Sequence, residues 1–332
     1  MKYRHLPVFV CLLACLYGCT RHEAVRNDVP QAADIARRCN DDLRKLREEV
    51  ERLAKSLEAL YARRVEIVKK VDITKYTFSP NGAFYKPVDD GGASLWISAF
   101  NPVTPEIQEV AYLSEPIDPE LKRICRDFPA ICQAYYNDRH SLNRIYPWVD
   151  TIAQYPPRMN IPDYNFYYLA DTLHNPERKG VWVSEPYVDP AGRGWMVTTM
   201  APVYVNGRLE GVPGLDVTIA TLVDRYFSGL DRSIAVVSRE GVLVAATERA
   251  IQDLQMPPLK DHKYLETVRM DTFKPDEYNV LKSTLRPIRT MARMLLVEHS
   301  DAVKVSIDDR LYRATAAVVP ELGWTVIELQ PN

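Results

Sequence analysis

Asn206-Gly207 constrains this chain more than any other pair of residues in it. Both residue types accept positive φ with little strain, so the pair closes a two-residue turn whose twist suits antiparallel strands. The flanking runs, 195–205 and 208–218, are rich in Val, Thr, Met and Leu. Pairing Val205 with Arg208 sets a register, and alternation then sorts the side chains into two faces. One face carries Met196, Met200, Tyr204, Leu209, Leu215 and Val217, which reads as core. The other carries Val197, Thr199, Ala201, Gly214 and Asp216, a shallow floor of small side chains with one carboxylate on which a small molecule can lie. Pro202 and Pro213 are the places where a bulge would slip the register by one residue and exchange the faces.

The wording around this hairpin resembles the double Cache family, the extracellular sensor domains of bacterial chemoreceptors and kinases. The pieces that carry the resemblance are Phe166-Tyr167-x-x-Ala170, Glu185-Pro186-Tyr187-Val188-Asp189, Ala201-Pro202-Val203-Tyr204, Gly211-Val212-Pro213-Gly214-Leu215-Asp216-Val217 and, near the end, Pro320-Glu321-Leu322-Gly323-Trp324-Thr325-Val326. Their order and spacing match over about residues 73–330. The resemblance implies an α+β fold: a long N-terminal helix followed by two stacked PAS-like modules with antiparallel sheets. The first, membrane-distal module (73–228) holds a ligand pocket, and the second, membrane-proximal module (229–332) does not.

Family members that bind amino acids grip the ligand ammonium with the residues corresponding to Asp216, Tyr187 and Asp189. Carboxylates beside aromatic faces suit a cation, through charge-assisted hydrogen bonds and cation–π attraction. The same members hold the ligand carboxylate with an arginine two residues before a Trp-Tyr pair. Here those positions are Tyr164 and Phe166. Losing a fork of donors weakens carboxylate binding and favours an amine, or another ligand without a carboxylate. Arg158 and Arg178 stand in nearby loops as substitutes. The candidate site is therefore Asp216, Asp189, Tyr187, Tyr167, Phe166 and Tyr164, with Thr199 on the floor. Other roles stay open: Asp216 precedes a helix and is placed to cap it, Tyr187 and Asp189 sit before a turn at Pro190, and the three aromatics suit a core.

Lys2 and Arg4 precede an apolar run over 8–16, followed by Leu16-Tyr17-Gly18-Cys19. A charged start, a short apolar core and small residues at the end form a secretory signal pattern. The run is far below the ~20 residues that span a bilayer as a helix. Leu-x-Gly-Cys also resembles a bacterial lipobox. Residues 1–18 are then a signal peptide, Cys19 carries lipid, and 19–30 form a tether on the extracytoplasmic side. An ordinary secretory signal or a short anchor is the alternative, and inner versus outer membrane stays open. No second apolar stretch approaches spanning length, so a sensor of this kind signals through a partner, a membrane receptor or histidine kinase. With 46% hydrophobic residues in 332 and a formal net charge of −2, the chain can build two cores and offers nucleic acid no basic footprint.

Residues 31–72 read as one long helix. Ala36, Cys39, Leu43, Leu46, Val50, Leu53, Leu57, Leu60, Ile67 and Val71 recur with alternating spacings of three and four, interrupted at Arg64. At 1.5 Å per residue the helix is ~60 Å long. It serves either as a spine for its own two modules or as a homodimeric coiled coil through 36–71 with Cys39 at the seam. Cys125 and Cys132 flank Pro129, which breaks a helix and brings a local disulfide within reach in an oxidising compartment.

Elsewhere the pattern predicts strands over 94–100 and 144–149, helices over 119–127, 129–137 and 218–229, and a hairpin at 233–238 and 242–247. Helical stretches over 263–271 and 276–300 follow, the second kinked at Pro287, with strands over 303–307, 311–319 and 324–329. No His-Glu-x-x-His, Gly-x-Ser-x-Gly or phosphate-cradling glycine loop is present, so the sequence argues for a non-enzyme without cofactor or metal. The rival readings are a scaffolding lipoprotein with a vestigial pocket and an uncharacterised hydrolase.

Overall fold

The computed structural model describes residues 31–257 and 275–332. The signal peptide, Cys19, the tether and the helix expected over 263–271 lie outside the described residues.

Helix α1 (Gln31–Ala62) buries Ala32, Ile35, Ala36, Cys39, Leu43, Leu46, Val50, Leu53 and Leu57 along one stripe. Its other faces carry ion pairs at helical spacing, such as Arg38–Asp34 at 2.9 Å and Arg47–Glu51 at 3.2 Å, each adding a few tenths of a kcal/mol at most. The helix stops ten residues short of expectation. Arg63 leaves helical geometry where the apolar stripe is interrupted, and a short α2 (Arg64–Val68) follows.

Two sheets share this helix. The first contains β1 (Thr77–Phe78), β2 (Phe84–Tyr85) and β3 (Ser94–Ile97); after α3 (Pro105–Ser114) and α4 (Asp118–Asp127) come β4 (Gln133–Asp138) and β5 (Leu142–Tyr146). Two one-turn helices, α5 (Thr151–Gln154) and α6 (Asn165–Tyr168), precede β6 (Val181–Val188), β7 (Trp195–Met200), β8 (Val203–Val205) and β9 (Arg208–Thr218). Helix α7 (Ile219–Phe227) crosses to the second sheet. That sheet is β10 (Ser233–Val237), β11 (Leu243–Ala246), then α8 (Glu248–Asp253) and α9 (Arg286–Leu296), then β12 (Ala302–Ile307), β13 (Arg310–Val319) and β14 (Trp324–Pro331). The strand orders are β1-β2-β3-β5-β4-β9-β7-β6, with β8 beside β9, and β11-β10-β14-β13-β12. Matching β4–β5 to β10–β11, β6–β7 to β12–β13, and β9 to β14 superposes the two orders. One motif is built twice, giving the expected α+β architecture of a long helix and two antiparallel modules.

Helix α1 packs on one face of each sheet. Its first half lies on the second sheet, where the Ala32 amide donates to Glu328 Oε2 (3.2 Å), the Glu321 amide donates to Asn40 Oδ1 (2.9 Å), and Arg47 Nε donates to Glu321 Oε2 (2.9 Å). Its second half meets α4, through Arg123 to Glu49 and Ser56 to Glu120 (3.3 Å), and the first sheet, through Tyr61 to Tyr136 (2.7 Å). The stripe that a coiled coil over 36–71 would use is thus covered by the chain's own sheets. Cys39 is buried there, and burial pushes its thiol pKa up to about 12. The spine reading, not the dimer seam, describes this helix.

Three local expectations change. Residues 129–137 were expected as helix, but Gln133–Asp138 is strand β4. Ala134 and Tyr136 point to the α1 side, and Gln133, Tyr135 and Asn137 to the other. Cys125 and Cys132 are free thiols, not a disulfide. Cys125 Sγ, on α4, lies 3.6 Å from the Tyr146 carbonyl, and Cys132 Sγ, held by the β4–β9 pairing, lies 3.4 Å from the Asp216 carbonyl, so each thiol has a different acceptor. Pro287 opens the first turn of α9 instead of kinking a longer helix, the position where its missing N–H costs nothing.

The Asn206-Gly207 turn forms with φ of 51° and 80°, and Val205 pairs with Arg208 as the sequence predicts. A shift between Val203 and Tyr204 then moves the pairing by one residue, so Thr198, not Val197, stands opposite Val217's neighbour Asp216. The bulge exchanges the faces of β7 while those of β9 stay as expected: Thr198 and Met200 join Asp216 and Gly214 on one side, and Val197, Thr199 and Ala201 join Leu215 and Val217 on the other. Val197, Leu215 and Val217 join the core against α1.

Candidate functional site

Asp216 sits in the middle of the first sheet, paired with Gln133 of β4 on one side and Thr198 of β7 on the other. All three side chains leave the sheet on the face away from α1. The Gln133 amide donates to Asp216 Oδ2 at 2.6 Å, and the Thr198 hydroxyl donates to Oδ1. Thr198 is itself within 2.6 Å of the Tyr187 hydroxyl. With the Thr198 proton committed to Asp216, Tyr187 is the donor in that second contact.

Asp189 closes the other side. It ends a strand and begins a tight turn in which Ala191 N donates to Oδ1 (2.9 Å) and Arg193 N to Oδ2 (3.0 Å). Gly192 and Gly194, at φ of 83° and 94°, let the chain turn back on itself there. Gln133, Asp189 and Asp216 all line the same cavity. Asp216 and Asp189 are 1% and 7% exposed. Burial, then the charge of Asp189, pushes the Asp216 pKa up to about 8, against the lowering effect of Thr198 and Gln133. Burial raises Asp189 too, opposed by its two backbone donors and Gln133.

Aromatic rings wall the space between them. Phe166 lies 5.7 Å from Tyr187 at an interplanar angle of 30°, and Tyr135 meets Phe166 edge-on at 6.3 Å. Gly214 is what lets the Tyr135 ring lie across the sheet, because a Cβ there would overlap the phenol. Tyr155 completes the wall and donates to Asn143 Oδ1 (3.0 Å). The cavity has a volume of about 30 Å³, taken as the space that water centres can occupy, room for roughly two waters or a small cation. Two polar atoms on its lining residues, Gln133 Oε1 and the Tyr135 hydroxyl, are buried without a hydrogen-bond partner. Such groups are costly unless something from outside the chain satisfies them.

Of the residues expected from sequence, Phe166, Tyr187, Asp189 and Asp216 converge on this cavity. Three do not. Tyr164 stacks on Phe166 at 5.1 Å and is half-buried, one layer out. Tyr167 is buried in the aromatic cluster and does not line the cavity. Thr199 pairs with Leu215 and points to the opposite face, its hydroxyl 3.4 Å from the Val181 carbonyl; the bulge puts Thr198 in its place. Gln133, Tyr135, Asn137, Asn143 and Tyr155 were missed. The signal for the first three was present as alternation along 133–137. Neither substitute arginine reaches the site: the Arg178 guanidinium lies 4.2 Å over Tyr204, and exposed Arg158 hydrogen-bonds the Phe100 carbonyl. Among the described residues no cationic side chain lines the cavity. Asp216 does not cap α7, since Thr218 takes that role by accepting from the Thr221 amide (3.1 Å).

Among the described residues no group of three His, Cys, Asp or Glu side chains stands together to hold a metal ion. None of the described helices is long and apolar enough to cross a membrane.

No family model matches the sequence, and no curated protein matches it. Solved structures do. The chain is similar to the ligand-binding domain of the Pseudomonas aeruginosa PAO1 amino acid chemoreceptor PctB in complex with L-Arg, at 14% identity and a TM-score of 0.49, covering 91% of each chain. It is also similar to the extracellular domain of the putative histidine kinase mmHK1S-Z3, at 12% identity and a TM-score of 0.48, over 91% of this chain and 92% of that one. The isoleucine-bound sensory domain of the Campylobacter jejuni chemoreceptor Tlp3 matches at 11% identity and a TM-score of 0.45, over 90% of this chain and 93% of that one.

Proposed function

We propose that this chain is an extracytoplasmic sensor of the double Cache kind, held to the membrane by lipid on Cys19, that takes a small amine cation into the first module. It passes the signal to a membrane receptor or histidine kinase. The carrying observation is the pair Asp189 and Asp216, buried and facing one ring-walled cavity that no basic side chain among the described residues lines. A cation entering between them gains charge-assisted hydrogen bonds from the carboxylates and cation–π attraction from Phe166 and Tyr187. The unpartnered Gln133 Oε1 accepts from a second N–H of the same ligand. The lack of an arginine at the cavity disfavours amino acids, whose carboxylate would be buried beside two others. The small volume favours amines of a few heavy atoms unless the turn at Asp189 opens.

A thermal-shift screen of small amines against amino acids tests this reading. A real site filled at ~100 times its dissociation constant adds about 2.7 kcal/mol of stability. Amines are expected to shift the transition and Asp216→Ala to abolish the shift. Indifference to every amine would leave the scaffolding role as the better account.

A further inference from the structure

We infer that the empty cavity keeps one proton on the Asp189–Asp216 pair, and that an entering ammonium ion takes the place of that proton. This rests on the amine reading above and adds a regulation to it: ligand capture is a cation-for-proton exchange, so the site reads ammonium and pH together.

The argument is geometric. The two buried carboxyl groups line one cavity of about 30 Å³, which holds far less water than bulk solvent would supply to screen two charges. Like charges that share a buried site do not both ionise cheaply, and one keeps its proton. The supporting donors are unequal. Asp189 accepts from two backbone amides of its turn, which can only donate, whereas Asp216 meets the Gln133 amide and the Thr198 hydroxyl, which can turn round to accept from a carboxylic acid. Asp189 therefore holds the negative charge and Asp216 holds the proton, in keeping with the upward shift of Asp216 to about 8. The other titratable groups facing the pair do not compensate. Tyr187, Tyr135, Tyr155 and the Cys132 thiol are all pushed up by burial and stay neutral. Arg193 draws Asp189 down, but its side chain is exposed and lies outside the cavity.

When the ammonium ion enters, the Asp216 O–H bond breaks, its electron pair stays on the carboxylate oxygen, and the proton leaves to solvent. Two carboxylates and one cation then carry the same net charge as one carboxylate and one carboxylic acid did before. The exchange leaves the electrostatics of the module unchanged while replacing a proton by a ligand with shape.

Two measurements on the full chain test it, with methylammonium and ethylammonium chloride as probes. Carboxyl ¹³C spectra of aspartate-labelled, ligand-free protein should show two aspartates titrating near neutral to mildly alkaline pH: Asp138, which burial also pushes up, to about 7, and a second that is absent in Asp216→Asn. Calorimetry in buffers of different ionisation heat should show one proton released per ammonium bound. Affinity should rise about 100-fold from pH 6 to pH 9 and then level off, since the probes stay charged over that range. If both carboxyls titrate in the ordinary range, the exchange is overturned, even where ammonium binds with an affinity flat in pH and the amine reading survives. If the proton is present but neither probe displaces it, the exchange and the amine reading fall together.

Discussion

The two modules answer the same architectural problem in opposite ways. Their strand orders superpose, so positions can be compared row by row. In the first sheet, the row at the start of the central strands is Gln133, Asp216 and Thr198; in the second it is Ser233, Leu329 and Ala314. The next row on the same face is Tyr135, Gly214 and Met200 against Ala235, Ile327 and Ala316. The covers differ in the same sense. The second sheet is sealed by α9, which lays Ile288, Met291 and Leu295 onto it at helical spacing. The first is covered by two single-turn helices and the loops between them, which contribute Tyr155, Met159, Ile161 and Phe166. A helix fills the space over a sheet with interlocking side chains, whereas rings held by loops leave a gap. The same topology thus gives a solid core in one module and a polar hollow in the other.

Ile327→Ala should show the largest effect on stability. Its side chain is buried in the solid core, and truncation leaves a cavity costing ~2–5 kcal/mol. Urea unfolding should report that loss while amine affinity stays unchanged, because the residue lies in the other module from the site. A parallel fall in affinity would mean that the modules do not hold their contents separately.

Gly214→Ala comes next. The added methyl group meets the Tyr135 ring, and displacing a buried aromatic by overpacking costs ~1–3 kcal/mol. Here the stability loss should be the smaller of the two and the loss of amine binding complete, since Tyr135 shapes the cavity. Binding that persists in this variant would remove Tyr135 from the site.

How legible was this contrast in the sequence? The turn at Asn206-Gly207, the long helix and the doubled α+β plan were readable because glycine chemistry and apolar periodicity are local. Phe166, Tyr187, Asp189 and Asp216 came from motifs. The residues that complete the site did not. Thr198 was hidden by a bulge at Val203 that no periodicity reports, and a one-residue slip handed its role to Thr199. Gln133 and Tyr135 stood in a segment read as helix because Pro129 seemed to separate two helices. Their significance depends on strands distant in sequence that pair with β4. The stripe on α1 had the period of a dimer seam and of a spine alike, and only tertiary packing decides between them.

Asp216→Asn should have the smallest effect on stability near pH 5, and an unusual sign above it. Asp216 is protonated more readily in the folded chain, with a pKa raised to about 8 from the 3.8 of a free side chain. Between those values the folded state binds more protons than the unfolded one, so stability falls as pH rises. The fall begins near pH 4 and ends as the folded group itself ionises near pH 8. Asparagine cannot ionise; its carbonyl still accepts from Thr198, and a flip of the Gln133 amide brings Oε1 round to accept from the new N–H in place of the present Gln133-to-carboxylate bond. The melting temperatures of variant and parent should therefore lie close together near pH 5 and diverge by a few degrees by pH 8, the variant being higher, all without ligand. Leu329, at the matching position of the second module, shows what the row becomes when no charge must be kept. Stability that is the same function of pH in both proteins would mean that Asp216 is ionised in the empty pocket, and the contrast between the modules would then be one of shape alone.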